Sequence, residues 1–435
     1  DPLYCRAHRN LLLATLDSIT LPRTSHCGTE FARTTAIAVN RKDIVMQTNH
    51  WKLIDKKNDH LIDQLQISGA NISEAAAAAN VEYQRLSGGR QEGLHLLSID
   101  NGAFRVCILP ERGMGIWKAW SGDVELGWQS PIDGPVHPNL VPLHEPSGLG
   151  WLDGFDELLV RCGLHSNGAP EHDAKGSLVY PLHGKIAQSP AEQLELTIDQ
   201  ESGDIVVRGI VEEKRFLFYH LQLTVTLRLP PGRASISICD QVTNLGSTNC
   251  GMQLLYHINF GTPLLNPGAE LVLPVKQMAP RDLEAARDGA MWSRYDAATA
   301  GYQGRVHFFE LLADAENQTR VLLKNADSNR GVSLQYDITQ LPCFAQWKHT
   351  GSVHDGYVTG LEPATNFPNP RSFEAERDRV VPLAAGQSRQ FDLCLEYHDN
   401  AESVAKAQQS IEILSNGETP VMHEQPLPDW SLNES

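Results

Sequence analysis

The sequence predicts an all-β protein, built as a large antiparallel β-sandwich with minor helices. Three observations support this prediction: apolar and polar residues alternate with a period of two, such segments recur at short spacing, and helical patterning is confined to two stretches. A chain of 435 residues is long enough to bury the core of one large β architecture without disulfides or a structural metal.

The clearest strand signal lies in residues 221–229. Apolar residues occupy every second position from Leu221 to Leu229, and polar residues occupy the positions between them. This period of two is typical of a strand with one buried and one more polar face. A Pro-Pro-Gly sequence at 230–232 then interrupts the chain, and Ile236 and Ile238 resume the alternation, which predicts a hairpin partner. Similar alternation predicts strands at 194–198, 332–336 and 391–397.

Helical patterning occurs before residue 90 and again at 401–414. An alanine run predicts a short helix from Glu74 to Leu86, since alanine has the highest helix propensity. The chain therefore divides into an N-terminal extension with this helix (1–91), a β-sandwich domain (92–415) and a C-terminal tail (416–435). Residues 1–45 lack clear periodicity, and we expect the native chain to begin at Met46, which would make 1–45 non-native.

Composition and charge narrow the class of function. The formal net charge is −17, which disfavours nucleic acid or an anionic membrane as a partner and leaves a small neutral molecule compatible. Eight cysteines are scattered without a C-x-x-C pair, which excludes zinc-ribbon and thioredoxin-like motifs. Scattered cysteines in a chain of this length, and the lack of an apolar run of transmembrane length, predict a cytoplasmic protein.

Three segments each place one titratable side chain among apolar or small residues, where desolvation can shift its pKa. The segments are Tyr180–Ala187 with His183, Leu254–Gly261 with His257, and Thr359–Thr365 with Glu362. Taken singly, each is also explained as structure: a strand end, a core strand and a turn before proline. A lone histidine in a strand is more often a hydrogen-bonded structural residue than a catalyst.

Together and in this order, the three segments resemble the catalytic segments of the aldose 1-epimerase superfamily. There a Leu-His-Gly segment supplies one histidine, a strand with His-x-x-Phe supplies the second, and a Gly-x-x-Glu segment supplies a carboxylate. His183, His257 and Glu362 fall on these positions. The resemblance covers roughly residues 92–398 and implies the galactose mutarotase-like supersandwich fold. The chain is most similar to a poorly characterised branch with Arg-Gly-x-x-Ile and Cys-Gly-Leu segments, here at 112–116 and 162–164.

The resemblance implies an enzyme that interconverts sugar anomers by acid–base catalysed ring opening. Glu362, as a carboxylate, would take the proton of the anomeric hydroxyl, and a protonated His257 would donate to the ring oxygen. His183 would hydrogen-bond the sugar and hold it in place. No metal and no organic cofactor is expected, and the expected partner is a small sugar.

Sugars are bound by aromatic faces and by planar polar groups. The candidate substrate-binding residues lie in Gly-rich or aromatic stretches between predicted strands, and they are Arg112, His165, Asn167, Trp347 and His349. Arg112 has the best claim because the related branch has an arginine there, although a salt-bridging role fits it equally well. Trp347 fits a core position better than a platform. Residues 258–261 replace the family's aromatic pair and asparagine, which we expect to reshape the wall beside His257.

Other interpretations remain open from the sequence. The chain could be a non-catalytic carbohydrate-binding or sensing protein on the same fold, or another sugar isomerase whose reaction begins with ring opening. A metal-dependent enzyme using His165, His172 and His183 fits less well because their spacing is irregular. The key segments contain only Arg112 and Lys185 as cations, which favours a neutral over a phosphorylated sugar.

Overall fold

Two large β-sheets form the framework of the residues that the computed structural model describes, which are 49–432. In chain order the strands are β1 His50–Asp55, β2 His60–Leu61, β3 Gln64–Ser68, β4 Asn80–Arg85, β5 His95–Asp100, β6 Arg105–Leu109, β7 Gly115–Ser121, β8 Val124–Leu126, β9 Leu159–Leu164, β10 Glu171–His172, β11 Leu178–Tyr180, β12 Ala191–Ile198, β13 Ile205–Arg215, β14 Tyr219–Leu229, β15 Ser235–Asn244, β16 Cys250–Phe260, β17 Glu270–Val272, β18 Val275–Pro280, β19 Arg305–Leu311, β20 Gln318–Lys324, β21 Gly331–Asp337, β22 Cys343–Thr350, β23 Tyr357–Ala364, β24 Val381–Leu383, β25 Ser388–His398 and β26 Val421–Met422.

Helices are few and short. The α-helices are α1 Leu283–Ala286, α2 Arg371–Ala375 and α3 Ala401–Ser415, and the 3₁₀ helices are Lys56–Asn58, Gly69–Asn71, Gly89–Gln91, Pro138–Leu140, Gly150–Gly154, Ile186–Gln188, Gly289–Met291 and Val353–Asp355. The helix predicted at 401–414 is confirmed by α3. Its N-cap is Asn400, whose side chain accepts a hydrogen bond from the backbone of Ser403, as helix starts commonly require.

The ten-stranded sheet has the order β17-β20-β21-β25-β15-β14-β13-β12-β1-β2. The fourteen-stranded sheet has the order β26-β18-β19-β22-β23-β16-β9-β7-β6-β5-β4-β3, with β24 paired to β16 and β8 paired to β7. Neighbouring strands pair antiparallel, except that β26 runs parallel to β18. One hydrophobic cluster joins apolar side chains of both sheets. The predicted large antiparallel sandwich is therefore confirmed.

The period-two segments form the strands that the sequence predicts. In β14 the apolar residues from Leu221 to Leu229 are buried and the polar residues between them are more exposed. This strand pairs with β15, in which Ile236 and Ile238 are buried, so the predicted hairpin is confirmed. The alternation at 194–198, 332–336 and 391–397 corresponds to β12, β21 and β25.

The helix predicted from Glu74 to Leu86 is wrong. Residues 80–85 form strand β4, in which Val81 and Tyr83 are buried and alternate with exposed or half-buried neighbours. The alanine run ahead of it forms turns that return the chain into the sheet. Helix propensity is a weak preference, and burial of Val81 and Tyr83 against the core overrides it.

The predicted boundary at residue 92 is also wrong. β1 pairs with β12 in the ten-stranded sheet, and β3 and β4 extend the fourteen-stranded sheet. Residues 49–91 thus belong to the same unit as the remaining strands. The expectation that residues 1–45 are non-native lies outside the described residues. Residues 416–432 are not a free tail, since β26 joins a sheet and Trp430 packs against Phe367.

The six cysteines in the described region are free thiols, namely Cys107, Cys162, Cys239, Cys250, Cys343 and Cys394. Among residues 49–432, no helix combines the length and apolar character needed to cross a membrane.

Candidate functional site

His257 and Glu362 lie on neighbouring strands of the fourteen-stranded sheet. β16 and β23 pair antiparallel, with Ile258 opposite Leu361 and Asn259 opposite Gly360. This register places His257 opposite Glu362. Directly opposed residues in an antiparallel pair have side chains on the same face and only a few ångströms apart. The sheet itself therefore brings the two titratable groups together.

Alternation along β16 separates the core from the site. Tyr256, Ile258 and Phe260 face the other sheet and belong to its shared hydrophobic cluster. His257 and Asn259 face the opposite side, as the period of two requires. The expectation that residues 258–261 reshape the wall beside His257 is wrong for Ile258 and Phe260, because both side chains lie in the core between the sheets.

A direct contact links the two groups. The Nε2 atom of His257 lies 3.2 Å from Oε1 of Glu362, and the two residues are only 4% and 2% exposed. Asn259 determines which imidazole nitrogen carries a hydrogen. Its amide nitrogen donates to the carbonyl oxygens of Glu157 and His257, so its Oδ1, 2.6 Å from Nδ1 of His257, must accept a hydrogen bond. The neutral ring thus carries its hydrogen on Nδ1 and presents Nε2 to Glu362 as an acceptor.

Burial determines the charge of this pair. Desolvation raises the pKa of Glu362 to about 8. Desolvation, and then the nearby His183, lower the pKa of His257 well below its usual value. Near pH 7 both groups are therefore neutral, with a protonated Glu362 in contact with the unprotonated Nε2 of His257. This differs from the expected carboxylate and imidazolium, although the two forms differ only in the position of one proton.

His183 completes a group that we call the titratable trio (His183, His257 and Glu362). Its ring centroid lies 5.3 Å from that of His257, with the rings close to perpendicular. The backbone N–H of His183 donates to Gly168, and its carbonyl accepts from Gly163. Its φ of 58° lies in the left-handed region, which is costly for a residue other than glycine and often marks a functional position.

Hydrogen bonding also fixes the state of the His183 ring. Its Nδ1 lies 3.0 Å from the carbonyl oxygen of Asn167 and donates to it, which leaves Nε2 as an acceptor. Burial lowers the pKa of His183 to about 4, so the ring is neutral near pH 7. Asn167 thus acts through its backbone, while its side-chain amide forms a reciprocal pair with that of Asn366.

Aromatic rings surround the histidines. Trp151 packs edge-on against His183 at 4.7 Å, and Phe155 packs edge-on against His257 at 5.1 Å. Trp347 lies 5.7 Å from His257 and stacks on His349. Of the predicted substrate-binding residues, Trp347 therefore lies beside the titratable trio, and His349 contacts Trp347. Sequence reasoning missed Trp151 and Phe155, which follow no strand pattern; the only signal was the aromatic residues between 150 and 156.

Gly360 keeps the space between the two reactive side chains open. A Cβ atom at this position would lie 2.7 Å from Oε1 of Glu362 and 2.9 Å from Cε1 of His257. Both distances are shorter than real Cβ contacts permit, and both neighbours are held by the sheet. The glycine two residues before Glu362 is therefore favoured by close packing rather than by a turn.

Arg112 is a structural residue. It is 1% exposed, and its guanidinium donates to the carboxylate of Glu157, the side chain of Gln188 and the carbonyl oxygen of Gly154. These bonds hold the segment 154–157, which carries Phe155 and supplies the carbonyl that orients Asn259. Because its donors are used inside the protein, the salt-bridging role of Arg112 is favoured, and its contact with substrate stays a prediction.

His165 lies apart from the titratable trio. Its ring stacks on Tyr219 at 4.2 Å, with 5° between the planes, and is tilted against Tyr180. His172 is exposed and bonds the carbonyl oxygen of Pro146. Within residues 49–432, no group of three or more His, Cys, Asp or Glu side chains is arranged to hold a metal ion.

Comparison with known proteins gives a family and a fold. Residues 91–397 match a family model described as a domain of unknown function (DUF4432). A solved protein from Klebsiella pneumoniae, provisionally assigned as an aldose 1-epimerase, is 33% identical, with a TM-score of 0.84 over 87% of this chain and 98% of that one. A galactose mutarotase-like protein from Clostridium acetobutylicum is 13% identical, with a TM-score of 0.51 over 73% and 98% of the two chains, a likeness of fold alone. No curated protein matches the sequence.

Replacing Arg112 with alanine tests its structural role. The change leaves the buried carboxylate of Glu157 without its ion-pair partner, so we expect the free energy of unfolding to fall by about 3–5 kcal/mol. The control is Arg228→Ala, since Arg228 is 61% exposed and also pairs with an aspartate; its loss should stay below about 1 kcal/mol. Urea denaturation followed by fluorescence measures both. If Arg112→Ala were as stable as the unchanged protein, the structural role would be contradicted and Arg112 would be favoured as a substrate contact.

Proposed function

We propose that this chain, which belongs to the DUF4432 family within the aldose 1-epimerase (galactose mutarotase-like) superfamily, interconverts the anomers of a small sugar by acid–base catalysed ring opening. The proposal is carried by one observation, the buried pair of Glu362 and His257, whose Oε1 and Nε2 atoms lie 3.2 Å apart. His183 lies beside this pair and contributes a neutral ring. We place the reaction in the cytoplasm, in keeping with the free cysteines of the described region.

The pair can supply both proton transfers that ring opening needs. When its proton moves from Oε1 of Glu362 to Nε2 of His257, the pair becomes a carboxylate and an imidazolium. The carboxylate takes the proton of the anomeric hydroxyl, and Nε2 gives its proton to the ring oxygen. The bond between C1 and the ring oxygen breaks and C1 becomes a carbonyl carbon, while the pair returns to its neutral form. Rotation about C1–C2 and reversal of both transfers give the other anomer.

Without a bound sugar, the buried environment favours the neutral form of the pair. Burial disfavours separated charges, so the ion pair forms only when the polar groups of a bound sugar replace the missing solvent. Asn259 assists because its Oδ1 accepts from Nδ1 and would stabilise a positive ring. A hydroxyl donating to the free Nε2 of His183 would position the sugar.

The aromatic surroundings suit a sugar ring. Trp151, Phe155 and Trp347 present apolar faces and edges around the two histidines, and such surfaces pack against the C–H groups of sugars. The indole nitrogen of Trp151 is buried and has no hydrogen-bond acceptor within residues 49–432. A sugar hydroxyl could satisfy it. A purely binding protein would need no acid and base in contact, which favours an enzyme over the non-catalytic alternative.

Anomer exchange tests the proposal directly. Polarimetry and NMR saturation exchange on a panel of neutral aldoses should show interconversion above the spontaneous rate. Glu362→Gln and His257→Ala should each lower the enzymatic rate by roughly 10²–10⁴-fold, because each removes one positioned proton transfer. His172→Ala, at an exposed histidine outside the titratable trio, should keep full activity.

Two results would contradict this assignment. Sugar binding without exchange above background on any aldose would favour a carbohydrate-binding or sensing protein. Full activity of Glu362→Gln would show that the carboxylate takes no proton, and the proposed site would then be incorrect. Conversion of an aldose into a different sugar, rather than into its other anomer, would identify another isomerase that begins with ring opening.

The activity should depend on pH in a defined way. Catalysis needs one proton in the pair, and Glu362 loses it as the pH rises through its raised pKa of about 8, so the rate should fall there. At low pH the pair gains a second proton on His257, and burial lowers the pKa of His257 well below 6.5. On the acid side of the pH–rate profile, the acid limb, activity should therefore fall only well below pH 6.5.

The variant Asn259→Asp provides a control for the acid limb. A carboxylate beside Nδ1 favours the imidazolium and raises the pKa of His257. The acid limb should therefore move to higher pH, while the wild-type limb stays low. An acid limb near pH 6.5 in the wild type, unmoved by Asn259→Asp, would contradict the assignment of this limb to His257.

A further inference from the structure

A cavity of about 240 Å³ lies against the segment that carries His183. Its lining includes His165, Ser166, Tyr180, Lys185, Arg215 and Tyr219. The residues that surround it come from the end of β9, from segment 180–185 and from the hairpin of β13 and β14. None of the titratable trio lines this cavity, so it is distinct from the proposed catalytic site.

The cavity carries uncompensated positive charge. Neither Lys185 nor Arg215 forms an ion pair with any residue between 49 and 432, and the guanidinium of Arg215 only packs over the ring of Phe218 at 4.6 Å. Unpaired cations that line a concave surface attract anions, because low-dielectric walls strengthen their field.

One acid, Glu213, also lines the cavity, and its carboxylate oxygens accept hydrogen bonds within the protein. Oε1 of Glu213 accepts from the hydroxyl of Tyr219 at 3.1 Å. Oε2 accepts from the backbone N–H groups of Leu164 and His165. Burial raises the pKa of Glu213, while the nearby Lys185 acts to lower it, and two cations face this one carboxylate. The positive charge of Lys185 and Arg215 therefore remains available to a ligand.

A buried hydroxyl also points to a ligand. Ser166 is 2% exposed and lines the cavity, yet its Oγ has no hydrogen-bond partner within the described residues. Leaving a buried hydroxyl unpaired costs free energy, so native structures seldom do so. An oxygen atom of an anion could accept from this hydroxyl while contacting the two cations.

The size and the walls of the cavity indicate more than a bare ion. A volume of 240 Å³ corresponds to about eight water molecules, at roughly 30 Å³ each. The stacked rings of His165 and Tyr219, with Tyr180 beside them, provide flat apolar surface. Burial, with the nearby Arg371, Lys185 and Arg215, lowers the pKa of His165 to about 3, so this ring stays neutral. Such walls suit a small organic body attached to the anionic group.

We propose that this cavity binds a phosphate monoester of the size of a sugar phosphate. Lys185 and Arg215 bind the phosphate group, Ser166 donates to one of its oxygens, and the aromatic rings contact the organic body. This inference does not depend on the proposed activity. The sequence-based preference for a neutral sugar concerns the catalytic site and is unaffected by it.

Isothermal titration calorimetry of the full chain with glucose 6-phosphate tests this site. The titration is made on the unchanged protein and on His257→Ala, in which the catalytic site is altered and this cavity is not. The ester should bind more tightly than inorganic phosphate, and glucose should not compete with it. Lys185→Met and Arg215→Gln should each weaken binding about tenfold or more, because each removes a charge-assisted hydrogen bond.

Lys214→Met is the matched control. Lys214 neighbours Arg215 but pairs with Glu212 at 2.5 Å, and its loss changes the net charge equally. Binding that is absent, that weakens equally in Lys214→Met, or that is matched by inorganic phosphate would overturn the proposal. Binding that exists only when His257 is intact would place the ester in the catalytic site and would likewise overturn it. Anomer exchange plays no part in these outcomes, so failure here is distinguishable from failure of the proposed function.

Discussion

The hydrogen-bonded register between β16 and β23 is the constraint on which the candidate site depends. It places His257 opposite Glu362 and Asn259 opposite Gly360 on one face of the fourteen-stranded sheet. A shift by one residue would turn the histidine into the core and bring Ile258 to the site. The buried residues on the other face of β16 oppose such a shift, since they fill the space between the sheets. The packing of the sandwich thus fixes the geometry of its proposed chemistry.

Desolvation gives this geometry its chemical character. Two groups that can carry charges in water are held in contact and kept neutral by burial, while Asn259 fixes the hydrogen on Nδ1 of His257. Arg112 supports Asn259 indirectly. Its guanidinium donates to the side chain of Glu157, and the carbonyl oxygen of Glu157 accepts from Asn259 and so orients it. A buried guanidinium that does not contact the imidazole therefore helps to define its state. Such outer contacts commonly tune a reactive histidine.

The sequence predicted the sandwich, several of its strands and one hairpin, because period-two alternation reports directly on burial. It also singled out the three residues that the structure brings together, although their roles stay predictions until activity is measured. Contacts that depend on tertiary packing were not accessible: Trp151 and Phe155 lie in irregular segments, and the donors of Arg112 are used inside the protein. The alanine run predicted a helix that does not form, because helix propensity stabilises less than the burial of Val81 and Tyr83 in a strand.

The protonation state of His257 is the most direct test of this account. Nitrogen-15 NMR of the imidazole at pH 7, assigned by comparison with His257→Ala, distinguishes the two neutral tautomers and the imidazolium. The account predicts a neutral ring with its hydrogen on Nδ1 and with Nε2 accepting a hydrogen bond, a signal that Glu362→Ala should alter. A hydrogen on Nε2 of a neutral ring, or an imidazolium at pH 7 in the absence of a sugar, would contradict it.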